Sequence, residues 1–211
     1  MITLHTWTTP NGRKPLIMLE ELGVPYQTVA VDIHKHEQFR PEFLALSPNN
    51  KIPALVDDAG EDGSVTMFES GAILTYLAER HGKLLPAQGP ARYRVLSWLH
   101  WQIGGLGPMF GQLGFFAGQD DNPAREHFME EAHRLLDVLD RQLASGPYLA
   151  GDAYSIADIA AYPWLMAARE KLADTLGQAI DGKPDVARWL ALVGGRPAVR
   201  TAMAWQPETT A

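Results

Sequence analysis

The sequence predicts an α/β domain over residues 1–84 followed by an all-helical domain over residues 92–211. Three observations carry this. Over roughly the first eighty residues, apolar runs of period two interleave with runs of period three to four. The stretch "KLLPAQGPAR" then interrupts the pattern with Pro86, Gly89 and Pro90. Beyond it, every apolar run steps at helical spacing.

In order, "ITLHTW" (2–7) reads as a strand. "KPLIMLEELG" reads as a helix: Leu16, Leu19 and Leu22 share a face, Pro15 suits a first turn, and Gly23 suits a C-terminal cap. "YQTVAVD" (26–32) alternates like a strand. "EQFRPEFLAL" is a short helix that Pro41 weakens or restarts. "PALVDD" and "VTMFE" are strands joined by the turn-rich "AGEDGS". "SGAILTYLAERHG" is a helix with Ile73, Leu74 and Leu77 inward and Gly82 at its end. The order β-α-β-α-β-β-α makes the first two strands parallel across a crossover, and the last two a hairpin. In the helical half, Leu96, Leu99, Ile103, Leu106 and Phe110 mark one amphipathic helix. Phe128, Leu135, Leu139 and Leu143 mark the next, and "SIADIAAYPWLMAAREKL" and "PDVARWLALVGGRPAVRTAMA" follow. Gly104, Gly105, Gly107 and Pro108 are expected to kink the first of these helices and shape a cleft.

Composition excludes several functions. A formal charge of −7 with no Lys/Arg cluster is poorly suited to nucleic acid, whose affinity comes largely from phosphate neutralisation. No apolar run reaches the length of a membrane span, and "MITLHTWTTP" has neither the basic nor the apolar region of a signal peptide. The expected location is the cytoplasm. The cysteine count of 0 excludes disulfides, metal–thiolate sites and a protein thiol nucleophile. "GGLGPMFG" lies in a helical pattern, not after a strand, so it is no dinucleotide fingerprint. "HKH" (His34, His36) fits a solvated loop better than a metal site, and no metal is expected.

Three stretches of the first domain converge on one edge of that fold. "TTPNG" (8–12) is a turn and helix cap, or it points Thr9 and Asn11 at a ligand beside a helix N-terminus, where negative charge is favoured. "NNKIPAL" places Pro53 before a buried strand. A cis Ile52–Pro53 bond is expected there. Proline cannot donate to the ladder, so the Ile52 backbone is left to pair with an extended, peptide-like ligand. "FESGAI" offers Ser70 as an N-cap; equally, Glu69 takes an ammonium while Ser70 and the free helix amides take a carboxylate. That pair would recognise the free amino-acid end of a γ-linked glutamate.

Together these stretches resemble the thioredoxin-like domain of cytosolic glutathione transferases. "YSIADIAAYPW", with Ser155 and Asp158, is similar to the capping box of that family's sixth helix. "QFRPEFLALSPNNKIPALVD", "FESGAILTYLAE" and "WQIGGLGPMFGQ" resemble the nu class, a bacterial branch whose members often act as glutathione-dependent disulfide-bond oxidoreductases. The resemblance spans essentially the whole chain. It implies a homodimer with glutathione, or glutathione disulfide, on the first domain. Thr9 and Asn11 match positions near the glutathione sulfur and Ile52 before Pro53 the clamp on the cysteinyl part. Glu69 and Ser70 match the γ-glutamyl clamp, and Gln38 and Lys51 polar positions around the rest. Nu-class members often place an arginine in the helical domain; here "NPAREHFMEE" puts His127 at that place and Arg125 two residues earlier.

The expected chemistry follows. The superfamily's usual Tyr, Ser or Cys at the end of strand one is replaced by Thr8 and Thr9. A donor to the thiolate lowers its pKa, and thiolate is the attacking species. Without a protein cysteine, exchange runs between glutathione and a small disulfide. Conjugation of electrophiles, peroxide reduction, or a non-catalytic scaffold use the same seat. Trp101, Met109, Phe110, Phe115 and Phe116, with Arg125 and His127, are candidate walls for the second substrate; aromatics at helical spacing also suit a core.

Overall fold

The computed structural model describes residues 1–60, 63–119 and 122–207. It divides into two compact units, Met1–Lys83 with the segment from Pro197 onward, and Leu84–Arg196.

The first unit begins β1 (Ile2–Thr6), α1 (Pro10–Leu22) and β2 (Tyr26–Ala30). Two short 3-10 turns (Ile33–Lys35 and Glu37–Phe39) lead into α2 (Pro41–Leu44), whose first residue is the proline that restarts the helix. Then come β3 (Ala54–Gly60), β4 (Gly63–Phe68) and α3 (Ser70–His81). The sheet runs β2-β1-β3-β4. β1 is parallel to β2, with Leu4 opposite Thr28, and antiparallel to β3, with Leu4 opposite Leu55. β3 and β4 form the expected hairpin; residues 61–62 of its "AGEDGS" turn lie outside the described residues.

α1 starts four residues before the lysine that opens the apolar repeat. Thr9 caps it by accepting from the Gly12 amide at 3.1 Å, and Pro10 fills the first turn. Pro15 therefore sits inside the helix, not in its first turn. Gly12 lets this turn close on β1: a Cβ there would meet the Trp7 carbonyl oxygen at 2.1 Å. The Thr6 hydroxyl fastens the junction by donating to the Gly12 carbonyl at 3.0 Å. Leu16, Leu19, Ile73, Leu74 and Leu77 are wholly buried, and Gly23 and Gly82 close α1 and α3 in the left-handed conformation.

The last helix of the chain, α10 (Pro197–Ala204), packs on α1. Arg13 Nη1 donates to the carbonyls of Ala202 at 2.8 Å and Trp205 at 2.6 Å. The sequence boundary put this helix with residues 92–211; its periodicity shows a helix but not the surface it covers.

The second unit comprises α4 (Gly89–Trp101), α5 (Gly107–Phe116), α6 (Pro123–Leu143), α7 (Ile156–Lys171), α8 (Gln178–Asp181) and α9 (Pro184–Gly194). A π-helical turn, Gln102–Leu106, joins α4 to α5. Leu106 and Gly107 keep helical dihedral angles, so the glycine–proline stretch where the sequence suggested a kink is an irregular, π-helical turn between the two helices. Leu99, Leu106, Phe110, Leu135, Leu139 and Leu143 fill this unit's core. The capping box forms as expected, with Asp158 accepting from the Ser155 amide at 3.0 Å. The same carboxylate accepts from the Leu149 amide and from Trp189 Nε1, both at 2.9 Å, and so ties the start of α7 to a loop and to α9. Among the described residues, no helix is long and apolar enough to cross a membrane.

Candidate active site

The three stretches meet in the first unit. Asn11, Asn49, Lys51, Ile52, Pro53, Phe68, Glu69 and Ser70 line one pocket. Asn11 comes from the first turn of α1, residues 49–53 from the loop before β3, and Phe68 to Ser70 from the passage of β4 into α3.

The loop before β3 supplies the flat wall. The Ile52–Pro53 peptide is cis, as expected. The ladder between β1 and β3 ends at His5 opposite Ala54, so Ile52 lies beyond it. The Ile52 side chain packs inward on Val31, Phe43 and Ala54. Lys51 is exposed, and its carbonyl accepts from the buried Ser47 hydroxyl at 2.8 Å, which pins the loop.

The α3 end supplies the charges. Glu69 precedes the helix with φ 70 and ψ 114, a conformation that a side chain rarely adopts and that surrounding structure must hold. Its side chain is exposed, while Ser70 is buried. The first turn of a helix has amides without intrahelical acceptors, which together with its dipole favours an anion. Beneath Ser70, Lys14 is buried at 1% exposure, with Nζ 3.3 Å from Ser70 Oγ. Burial lowers its pKa from 10.5 to about 7, opposed by the field of Glu69. The sequence reading missed Lys14, Asn49 and Phe68. Lys14 lies off the face that Leu16, Leu19 and Leu22 share in "KPLIMLEELG", so its spacing carries no signal and only the fold reveals its burial.

Thr9 stands one residue before α1. Its oxygen is engaged by the Gly12 amide, which leaves the hydroxyl hydrogen to donate elsewhere. Gln38 stands apart from the pocket lining, on the 3-10 turn Glu37–Phe39, with its buried Oε1 unpartnered. The remaining candidates belong to the second unit. Trp101 packs edge-on against Trp98, Met109 is half-buried, and Phe110 is core at 2% exposure. Arg125 and His127 stand near the start of α6; His127 is exposed, and Arg125 Nε is buried without a partner. Among the described residues, no group of three or more His, Asp or Glu is placed to hold a metal.

Sequence comparison agrees with this geometry. Residues 1–79 match the glutathione S-transferase N-terminal domain, and residues 122–199 the glutathione S-transferase C-terminal domain. The chain belongs to the glutathione transferase family. A curated relative of this transferase, the disulfide-bond oxidoreductase YfcG of Escherichia coli K12, is 45% identical over 96% of the chain and 94% of its own length. A glutathione transferase family member from Pseudomonas fluorescens, solved with two glutathione bound, superposes with a TM-score of 0.92 at 44% identity. That match covers 96% of this chain and 92% of the other. A glutathione transferase from Pseudomonas putida, solved with one glutathione disulfide per subunit, gives 0.92 at 42% identity, covering 96% and 90%. The first unit is thus the thioredoxin-like domain of the family, and the second its helical domain.

Proposed function

We propose that this transferase is a nu-class, glutathione-dependent disulfide-bond reductase that works through bound glutathione thiols. The observation that carries the reading is one pocket lined by Asn11, Lys51, Ile52, Pro53, Glu69 and Ser70 in a chain with a cysteine count of 0. The γ-glutamyl ammonium faces Glu69, its carboxylate takes Ser70 and the first amides of α3, and the cysteinyl backbone pairs with Ile52. The sulfur then falls to Thr9 and Asn11. Lys51 and Gln38 serve the polar remainder, and Trp101, Met109, Arg125 and His127 the second-substrate side; Phe110, expected from the sequence as a wall, is buried in the helical core and faces no substrate.

The reaction balances without the protein's own sulfur. A glutathione thiolate, stabilised by a donated hydrogen bond, attacks one sulfur of a small disulfide. A mixed disulfide forms and the other substrate sulfur leaves as a thiolate. A second glutathione thiolate attacks the glutathione sulfur of that mixed disulfide and releases the second substrate thiol. Two electrons pass from two glutathiones to the substrate, leaving glutathione disulfide. The protein fixes geometry and lowers the thiol pKa. The names of YfcG and of the P. putida complex with glutathione disulfide support this reading. The enzyme is read as a cytoplasmic homodimer, drawing on a reducing glutathione pool.

Steady-state rates with glutathione and, side by side, a small disulfide, an aryl halide and an organic hydroperoxide test the proposal. The disulfide is expected to turn over fastest. Faster turnover of either other substrate would make this a conjugating or peroxidase enzyme, and turnover of none a binding scaffold. Glu69→Gln and Ser70→Ala are each expected to weaken glutathione binding by about tenfold, the scale of one charge-assisted hydrogen bond. Titration calorimetry measures this; unchanged affinity in both variants would move the γ-glutamyl group elsewhere.

A further inference from the structure

We propose that Lys14 is a positioning residue for the ligand's carboxylate: its ammonium, sealed beneath the first turn of α3, turns the Ser70 hydroxyl into a donor toward the pocket, so that carboxylate binding is coupled to proton uptake. This deepens the glutathione reading and rests on it.

The geometry rests on the contact between Lys14 and Ser70. Lys14 Nζ lies 3.3 Å from Ser70 Oγ, and Ser70 lines the pocket. An ammonium has donors and no acceptor, so Ser70 Oγ must accept from it and send its own hydrogen elsewhere. A neutral amine has a lone pair. The Ser70 hydrogen then has an acceptor behind it, and the oxygen presents lone pairs to the pocket, the wrong polarity for a carboxylate. The protonation of Lys14 therefore decides what Ser70 offers.

The surroundings leave that protonation adjustable. At the α3 end the facing charge is Glu69, whose field favours the ammonium. On α1 itself, Arg13 is turned away toward α10, to the carbonyls of Ala202 and Trp205. Burial holds the Lys14 pKa at about 7, so both forms are populated near neutral pH. A carboxylate seated on Ser70 adds a second negative charge close by and draws the proton in.

The test uses S-methylglutathione, which keeps the carboxylate and has no thiol to titrate. Calorimetry between pH 6 and pH 8, in buffers of different ionisation heat, reads affinity and proton uptake together. For the wild-type protein, affinity is expected to fall roughly tenfold across that range, with uptake rising from near zero toward about one proton per ligand. Lys14→Met is expected to bind about tenfold more weakly at pH 6, with no pH slope beyond the ligand's own ammonium. Lys14→Arg, which stays charged, is expected to bind with no such slope.

Stability reports the fold independently. A lysine whose folded pKa lies below its unfolded value destabilises the folded state below the lower value, and stability returns as pH rises from about 7 toward 10.5. Lys14→Met should therefore melt higher than wild type at pH 6 and lose the advantage as pH rises. Absence of proton uptake by the wild-type protein, or an unchanged slope in Lys14→Met, overturns the role of Lys14 while leaving the pocket assignment standing. Failure of the wild-type protein to bind S-methylglutathione at any pH removes the pocket assignment, and this inference with it.

Discussion

Thr9→Ala is expected to slow glutathione-dependent disulfide exchange by about 10²-fold at neutral pH, the cost of removing one preorganised donor from a developing or resting anion. Thr9 does two things at once. Its oxygen accepts from the Gly12 amide at 3.1 Å and caps α1, and in the proposed function its hydrogen is donated to the sulfur. The substitution therefore also costs about 1 kcal/mol of stability as a lost cap. Thr9→Ser separates the two effects, because serine keeps both the cap and the donor; its rate should stay within about threefold of wild type. Thr9→Asn keeps a cap acceptor but not the hydroxyl. The absorbance of the bound thiolate, followed against pH, gives the direct readout: in Thr9→Ala the midpoint should move up, and the pH–rate profile with it. Unchanged rate and midpoint in Thr9→Ala would remove Thr9 from the chemistry and leave Asn11 as the donor to examine.

Asp158→Ala is expected to destabilise the protein by about 3–5 kcal/mol, a large share of an ordinary domain's total. The carboxylate is wholly buried and holds four donors from three places: the Leu149 amide, the Ser155 amide and hydroxyl, and Trp189 Nε1. Truncation removes the acceptor of the two amides and the indole, at about 1–3 kcal/mol each before relaxation. Asp158→Asn keeps one acceptor oxygen but turns an NH2 group toward donors, so it should recover only part of the loss. Urea unfolding followed by far-ultraviolet circular dichroism measures both. A loss below about 1 kcal/mol for Asp158→Ala would mean that the network contributes geometry and little stability.

What the sequence made legible follows from what each residue does locally. Ile73, Leu74 and Leu77 repeat at helical spacing with Gly82 just after them, and α3 is found there. Ser155 and Asp158 are a local signal and form the local structure expected of them. Pro53, which cannot join a ladder, marked the end of pairing before β3. The misses are non-local. α1 begins at Pro10 because Thr9 caps it, and the apolar repeat starts only after that turn. The packing of α10 on α1 depends on Arg13 reaching carbonyls 189 and 192 residues away, which no periodicity encodes. Lys14 was passed over because it reads as one polar residue on an amphipathic helix; only its burial beneath Ser70 marks it out. The irregularity at Gln102–Leu106 was legible in Gly104, Gly105, Gly107 and Pro108, but its π-helical form was not.

One pocket of the first unit is proposed to seat glutathione with its sulfur at the start of α1. A crystal structure of the protein with glutathione is the decisive measurement. The γ-glutamyl group is expected on Glu69 and Ser70, the cysteinyl backbone paired with Ile52, and the sulfur within hydrogen-bond distance of Thr9 Oγ1 or the Asn11 side chain. Glutathione bound away from residues 49–53 and 68–70, or seated there with its sulfur far from both Thr9 and Asn11, would contradict it.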